Sequence, residues 1–227
     1  FCQFYLKDIT KAKYYYEKAS ESKFALADFN LGYLYEMQGL IEQSIEHYNK
    51  AIQNKNESLT LKSEVIYDKR LEESKEIIIC LAYLKVIRYY LTNIHSVENN
   101  IQAKYLLYSL IIEKRYEKAY ISFLIRMKID DEFDPFDDME NLIFDCQPFE
   151  NTTNYFGNCD EYDTFCICYE YIIQNQVYLN ALNQKIDSLI KKICDVLYSP
   201  PYLIIFGRIP INKNKTGLQK KYYKRFL

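Results

Sequence analysis

LADFNLGYLYEMQGL (residues 26–40), followed at once by IEQSIEHYNKAI (41–52), decides how this chain folds. In the first segment Leu31, Leu34 and Tyr35 recur at helical spacing, and Gly32 lies on the face where a neighbouring helix must come close. Gly39 ends that helix and supports the turn, because glycine takes a positive φ without steric cost. The second segment sets small Ser44 and Ala51 on one stripe with Tyr48 between them. Small side chains let two helices approach, and the ring fills the volume that remains. The spacing predicts an antiparallel pair of packed helices.

The second-helix pattern occurs once more, 32 residues earlier, in KAKYYYEKAS (11–20), where Ala12, Tyr16 and Ala19 hold the positions of Ser44, Tyr48 and Ala51. Recurrence at such a period is the signature of a repeat, in which each hairpin buries its apolar face against the next. A repeat scaffold shifts the functional expectation from chemistry towards recognition. A later pair, CLAYLKVIRYYL (80–91) and IQAKYLLYSLII (101–112), fits the scheme more loosely. Val86 stands where Gly32 did, Tyr89 matches Tyr35, and Ala103 and Leu107 take the stripe. The interval from Val86 to Ala103 is five residues longer than that from Gly32 to Ser44, and TNIHSVENN (92–100) forms the extended loop.

These residues resemble the tetratricopeptide family and its relative, the Sel1-like repeats. The likeness is close over 26–52 and fair over 8–20, and the repeats degenerate after residue 56. It implies an all-α fold, an α-α superhelix in which residues 1–128 form the helical repeats. Residues 129–198 then make a C-terminal helical region that caps the solenoid, and 199–227 a basic tail. Phe1 opens the chain, and residues 12–19 look like the second half of a repeat whose first half is missing, so a fragment or an incomplete gene is expected.

Periodicity divides the remainder. Residues 57–75 are highly charged and interrupt the repeat, and helices are expected over 74–92 and 101–112. KRYEKAYISFLIRMK (114–128) is amphipathic, with Tyr116, Ala119, Tyr120, Phe123 and Met127 on one face. A short helix over 137–146 and a loop over 147–160 precede helices at 161–176 and 177–198. In the last of these, Leu179, Leu182, Ile186, Leu189, Ile193 and Val196 alternate by three and four. That seam suits either a coiled-coil dimer or the capping of a solenoid end, and capping is the commoner use.

Composition fits a helical globular chain: hydrophobic residues are 49%, charged residues 26%, and there are only five Gly and five Pro. The longest apolar runs, IIICLAYL (77–84) and YLIIF (202–206), are too short to span a bilayer, so no transmembrane segment is expected. Seven cysteines, an odd number scattered mainly through helical patterns, do not suggest a secreted disulfide framework. Cys159, Cys166 and Cys168 include no CxxC pair, and neither His47 nor His95 is near them in sequence; buried free thiols are expected rather than zinc. His47 is placed on the exposed side of a repeat helix, which leaves few candidate bases. In DDEFDPFDDME (130–140), Pro135 stands where a calcium loop needs glycine and Asn141 where it needs a bidentate carboxylate. The stretch reads as a connector, with Asp137 or Asp138 capping the next helix. KNKTG (213–217) lacks the preceding glycines of a phosphate loop. No catalytic residue, metal ligand or cofactor is expected, and a cytoplasmic location, or a nuclear one, fits.

Residues 199–227 carry seven cations and no carboxylate, against a formal total of −2. Such a tail either contacts phosphates, acidic proteins or an anionic membrane weakly, or simply solubilises the terminus. Nothing in it reads nucleotide sequence. In tetratricopeptide arrays the first helix of each repeat lines a concave groove. The resemblance therefore nominates Leu26, Phe29, Tyr33, Glu36 and Met37, with Tyr83, Ile87 and Tyr90 from the later repeat; Tyr33 suits groove and core equally, and Leu26 suits the core better. Of the family's carboxylate clamp only Asn30 is present, so a hydrophobic or amphipathic peptide fits better than an acidic tail. Two functions follow from the resemblance: a non-catalytic scaffold or adapter for partner proteins of unknown identity, or the C-terminal accessory region of a larger signalling enzyme such as a protein kinase.

Overall fold

Helices α2 (Ala25–Met37) and α3 (Ile41–Gln53) form the hairpin and meet where glycine is required. A Cβ on Gly32 would stand 2.7 Å from Cδ1 and Cε1 of Tyr48 and 3.1 Å from the Ser44 carbonyl oxygen. Contacts run from Glu36–Tyr48 near the turn to Asp28–Asn54 at the far end, the order of antiparallel helices. Ser44, Tyr48 and Ala51 are buried, so the small–large–small stripe is the seam. Helix α1 (Ile9–Glu21) packs on α2, with Ala12 buried and Tyr16 and Ala19 half-buried. The computed structural model describes residues 9–55, 69–127, 135–144 and 160–197, and every regular element among them is helical.

The two turns flanking α2 share one hydrogen-bond pattern. At the end of α1, Phe24 N–H donates to the Ala19 carbonyl (3.3 Å) and Lys23 N–H to that of Ser20 (2.8 Å). At the end of α2, Leu40 N–H donates to Tyr35 and Gly39 N–H to Glu36, both at 3.0 Å. This nested pair is the Schellman motif, which needs a left-handed residue at its pivot. Gly39 supplies it at φ +75°, and Lys23 adopts φ 57° with a side chain attached.

Helix α4 (Lys69–Thr92) organises the rest. Within IIICLAYLKVI (77–87) every residue except Lys85 is at most 2% exposed. A helix apolar around its whole circumference must be covered on all sides. Helices α2, α3, α5 (Val97–Ile112), α6 (Arg115–Met127) and α9 (Gln176–Leu197) do so. Helix α7 (Pro135–Phe144) packs on α8 (Glu161–Gln174) and α9, and α8 packs on α5. One apolar cluster therefore runs from Phe29 and Tyr48 through α4 to Leu182 and Ile193, across the boundary drawn at residue 129.

Several element bounds differ from expectation for identifiable reasons. The loop expected over 92–100 shortens, because the Ser96 side chain accepts from Asn99 N–H and starts α5 at Val97. Helix α7 begins at Pro135, whose missing N–H costs nothing in the first turn. Asp137 and Asp138 thus lie inside that turn, complementing the helix dipole, and are not its caps. Asp160 caps α8 by accepting from Asp163 N–H at 2.8 Å. In α9, Leu179, Leu182, Ile186, Leu189 and Ile193 are all buried within the chain. Helix α9 lies along α4, where Arg88 Nε donates to Asp187 Oδ1 at 2.8 Å, and its Lys185 bonds Asp138 of α7. The basic tail, the phosphate-loop candidate and Cys2, Cys146 and Cys159 lie outside the described residues.

Candidate interaction surfaces

Of the residues nominated for a groove, Phe29, Tyr83 and Ile87 are core residues. The Phe29 ring packs on Tyr48, with centroids 5.3 Å apart. Tyr83 packs on Tyr116 of α6 at 5.5 Å, and its hydroxyl accepts from Lys55 Nζ at 2.8 Å. Tyr83 and Ile87 lie on α4, which α6 and α9 also cover, and Phe29 lies against α3, so none of the three side chains is open to solvent. Leu26 is half-buried against the same core.

Tyr33, Glu36 and Met37 stay accessible within one turn of α2, Met37 at 59% exposure. Burial raises the Tyr33 phenol above its ordinary pKa, with Cys194 and Glu36 adding to the shift. Glu36 joins three helices: it accepts from Tyr48 Oη at 2.6 Å and from Lys85 Nζ at 2.7 and 2.8 Å. Tyr90 is turned to α3, where its hydroxyl accepts from Asn49 Nδ2 at 3.1 Å.

A buried carboxylate escaped the sequence reading. Asp28 is fully buried and accepts from Ser20 Oγ at 2.6 Å and Asn54 Nδ2 at 3.2 Å, with His47 Nδ1 3.4 Å away. His47 is therefore not on an open face. Its ring is half-buried and stacks on Tyr35, with centroids 5.3 Å apart and planes 15° apart. A carboxylate taken out of water needs donors, and α1, α2 and α3 each contribute to this knot. The Ser20 hydroxyl is committed to Asp28, so the group ties helices together. The signal available beforehand is an Asp one turn before Gly32, on the face that must be buried.

Lys55 makes a similar bridge, donating to Glu113 at 2.6 Å and to Tyr83. Cys80 is a buried free thiol, Cys166 and Cys194 are half-buried and free, and Cys168 is buried and in no disulfide. Burial pushes the Cys80 thiol well up, and the Glu76 carboxylate adds to this. Among the described residues no three His, Cys, Asp or Glu side chains converge as metal ligands, and no helix is long and apolar enough to cross a membrane. A shallow cleft of about 10 Å³ between α5, α6 and α7, lined by Leu110, Lys114, Phe136 and Glu140, is at the lower limit for a single water. Comparison with family models, with curated proteins and with solved structures returns no match to this chain.

Proposed function

We propose that this chain is a non-catalytic interaction scaffold, built from tetratricopeptide-like or Sel1-like hairpins, that holds partner proteins on helix surfaces. The observation that carries the reading is the α2–α3 hairpin, with α3 packed between α2 and α4 and the helices brought close at Gly32. The accessible surface on α2 is Tyr33, Glu36 and Met37, which suits an apolar or amphipathic peptide.

The test compares the proteins captured by the full chain with those captured by a Tyr33→Ala/Met37→Ala variant. Phe29 is left intact, because truncating a buried phenylalanine costs about 3–5 kcal/mol and would confuse folding with binding. The scaffold reading expects partners that the variant loses while its far-UV circular dichroism matches the parent. Equal recovery by both folded proteins removes the α2 surface from the proposal.

A further inference from the structure

Helix α5 is apolar on the side that faces solvent. Val97, Ile101, Tyr105 and Ile112 are 76%, 55%, 63% and 39% exposed, and their spacing places them on one stripe with half-buried Tyr108. The opposite side of α5, through Ala103, Leu107 and Leu110, is buried in the core. The stripe gains meaning from α3. Aligning Ala103 with Ser44 and Leu107 with Tyr48 sets Ile101, Tyr105 and Ile112 against Glu42, Glu46 and Gln53. Those α3 residues are exposed, and their polarity is what a solvent-facing stripe requires. The corresponding positions of the next hairpin have the reverse polarity, without burial to explain it.

The rim of this stripe is acidic. Helix α8 runs antiparallel beside α5, as the Lys104–Glu170 bond (2.7 Å) and the Tyr108–Tyr162 ring contact (4.9 Å) show. It adds half-exposed Tyr162 to the apolar surface and brings Asp160, Glu161 and Asp163, all exposed, towards the Ile112 end. Exposed Glu98 flanks the Val97 end. The single lysine of α5, Lys104, is already held by Glu170.

We infer that the outer face of α5 is a docking surface for an amphipathic segment of a partner protein whose apolar side is flanked by lysine or arginine. Apolar burial supplies affinity and the acidic rim selects charge and speeds encounter. A second copy of the chain fits poorly, because a two-fold contact would set the same acids against each other. The inference goes beyond the scaffold reading and stands apart from the α2 surface, so either can fail alone.

The probe is a fluorescent helical peptide of about five turns, with leucine on one face and lysine elsewhere, and its counterpart with glutamate for lysine. Titrated by anisotropy against the full chain, the leucine–lysine peptide binds and the leucine–glutamate peptide does not. Ile101→Glu/Tyr105→Glu weakens binding by about tenfold or more, whereas Tyr33→Ala/Met37→Ala leaves it unchanged. Ile101→Ser/Tyr105→Ser repeats the test with a change that adds no charge. Undiminished binding by both α5 variants overturns the proposal. A sedimenting dimer abolished by Ile101→Glu/Tyr105→Glu would give the face to a second copy and overturn it too. So would peptide binding that appears only after Lys220, Lys221, Lys224 and Arg225 are changed to serine, since the occupant would then be the chain's own tail.

Discussion

Replacing Gly32 by alanine sets two opposed effects against each other. At an open helical position alanine is the better residue by roughly 1 kcal/mol. At Gly32 the added methyl would lie 2.7 Å from two ring carbons of Tyr48, where carbon atoms prefer about 3.5–4.0 Å. The ring has nowhere to go: Tyr48 is buried, its hydroxyl is held by Glu36 at 2.6 Å, and the Phe29 ring lies beside it. The next neighbour, the Ser44 carbonyl at 3.1 Å, is backbone and moves only with α3. Overpacking of this kind costs about 3 kcal/mol at the upper end of its usual range, so the net loss is roughly 2 kcal/mol after the propensity gain. Urea unfolding followed by circular dichroism measures it for Gly32→Ala, Tyr48→Leu and the double variant. Removing the ring makes room for the methyl, so the double variant is less destabilised than the two single losses combined. A Gly32→Ala protein more stable than its parent, or additive losses, refutes the close-approach argument.

Three further outcomes follow from the same structure. Asp28→Ala loses about 2–4 kcal/mol, because Ser20 and Asn54 are left without their acceptor; Asp28→Asn, which keeps an acceptor oxygen, loses less, and equal urea midpoints for the two would contradict the knot. Lys23→Gly raises the thermal midpoint and Gly39→Ala lowers it, each by about 1 kcal/mol equivalent, since both residues pivot left-handed turns; opposite signs would sink the shared-turn account. For Lys55, burial disfavours the charge, but bonds to Glu113 and Tyr83 outweigh it and raise the pKa above the ordinary 10.5. A raised lysine stabilises the fold fully below 10.5 and loses that contribution as pH climbs through the folded-state value. The stability gap between the parent and Lys55→Met therefore narrows above that pH in urea titrations, and a constant gap argues against the bridge.

The hairpin was legible because its signals are local: Gly32, Ser44 and Ala51 declare close approach, and Gly39 declares a turn. Helix starts were less so. Lys69–Glu73 has charges in place of apolar periodicity, yet its residues are strong helix formers and extend α4. The turn at Lys23 gave no sign, since lysine occupies a position that glycine usually marks. The burial of Tyr83 and Ile87, two of the nominated groove residues, has a different reason. Whether Tyr83 and Ile87 meet solvent depends on α6 and α9, which reach α4 from far along the chain and leave no trace in its local spacing. The lack of a polar face over Ile77–Leu84 was the available warning. His47 was likewise read without Asp28, 19 positions away, which holds it.

Arg88 and Asp187, 99 positions apart, fasten α9 to α4. In a stack whose units touch only their neighbours, the ends fray first and damage stays where it occurs. Here α9 cannot peel away without stripping cover from α4, so shortening the chain before Gln176 injures its centre rather than its edge. Opening of α9 therefore uncovers α4, and the protection of the two helices is coupled.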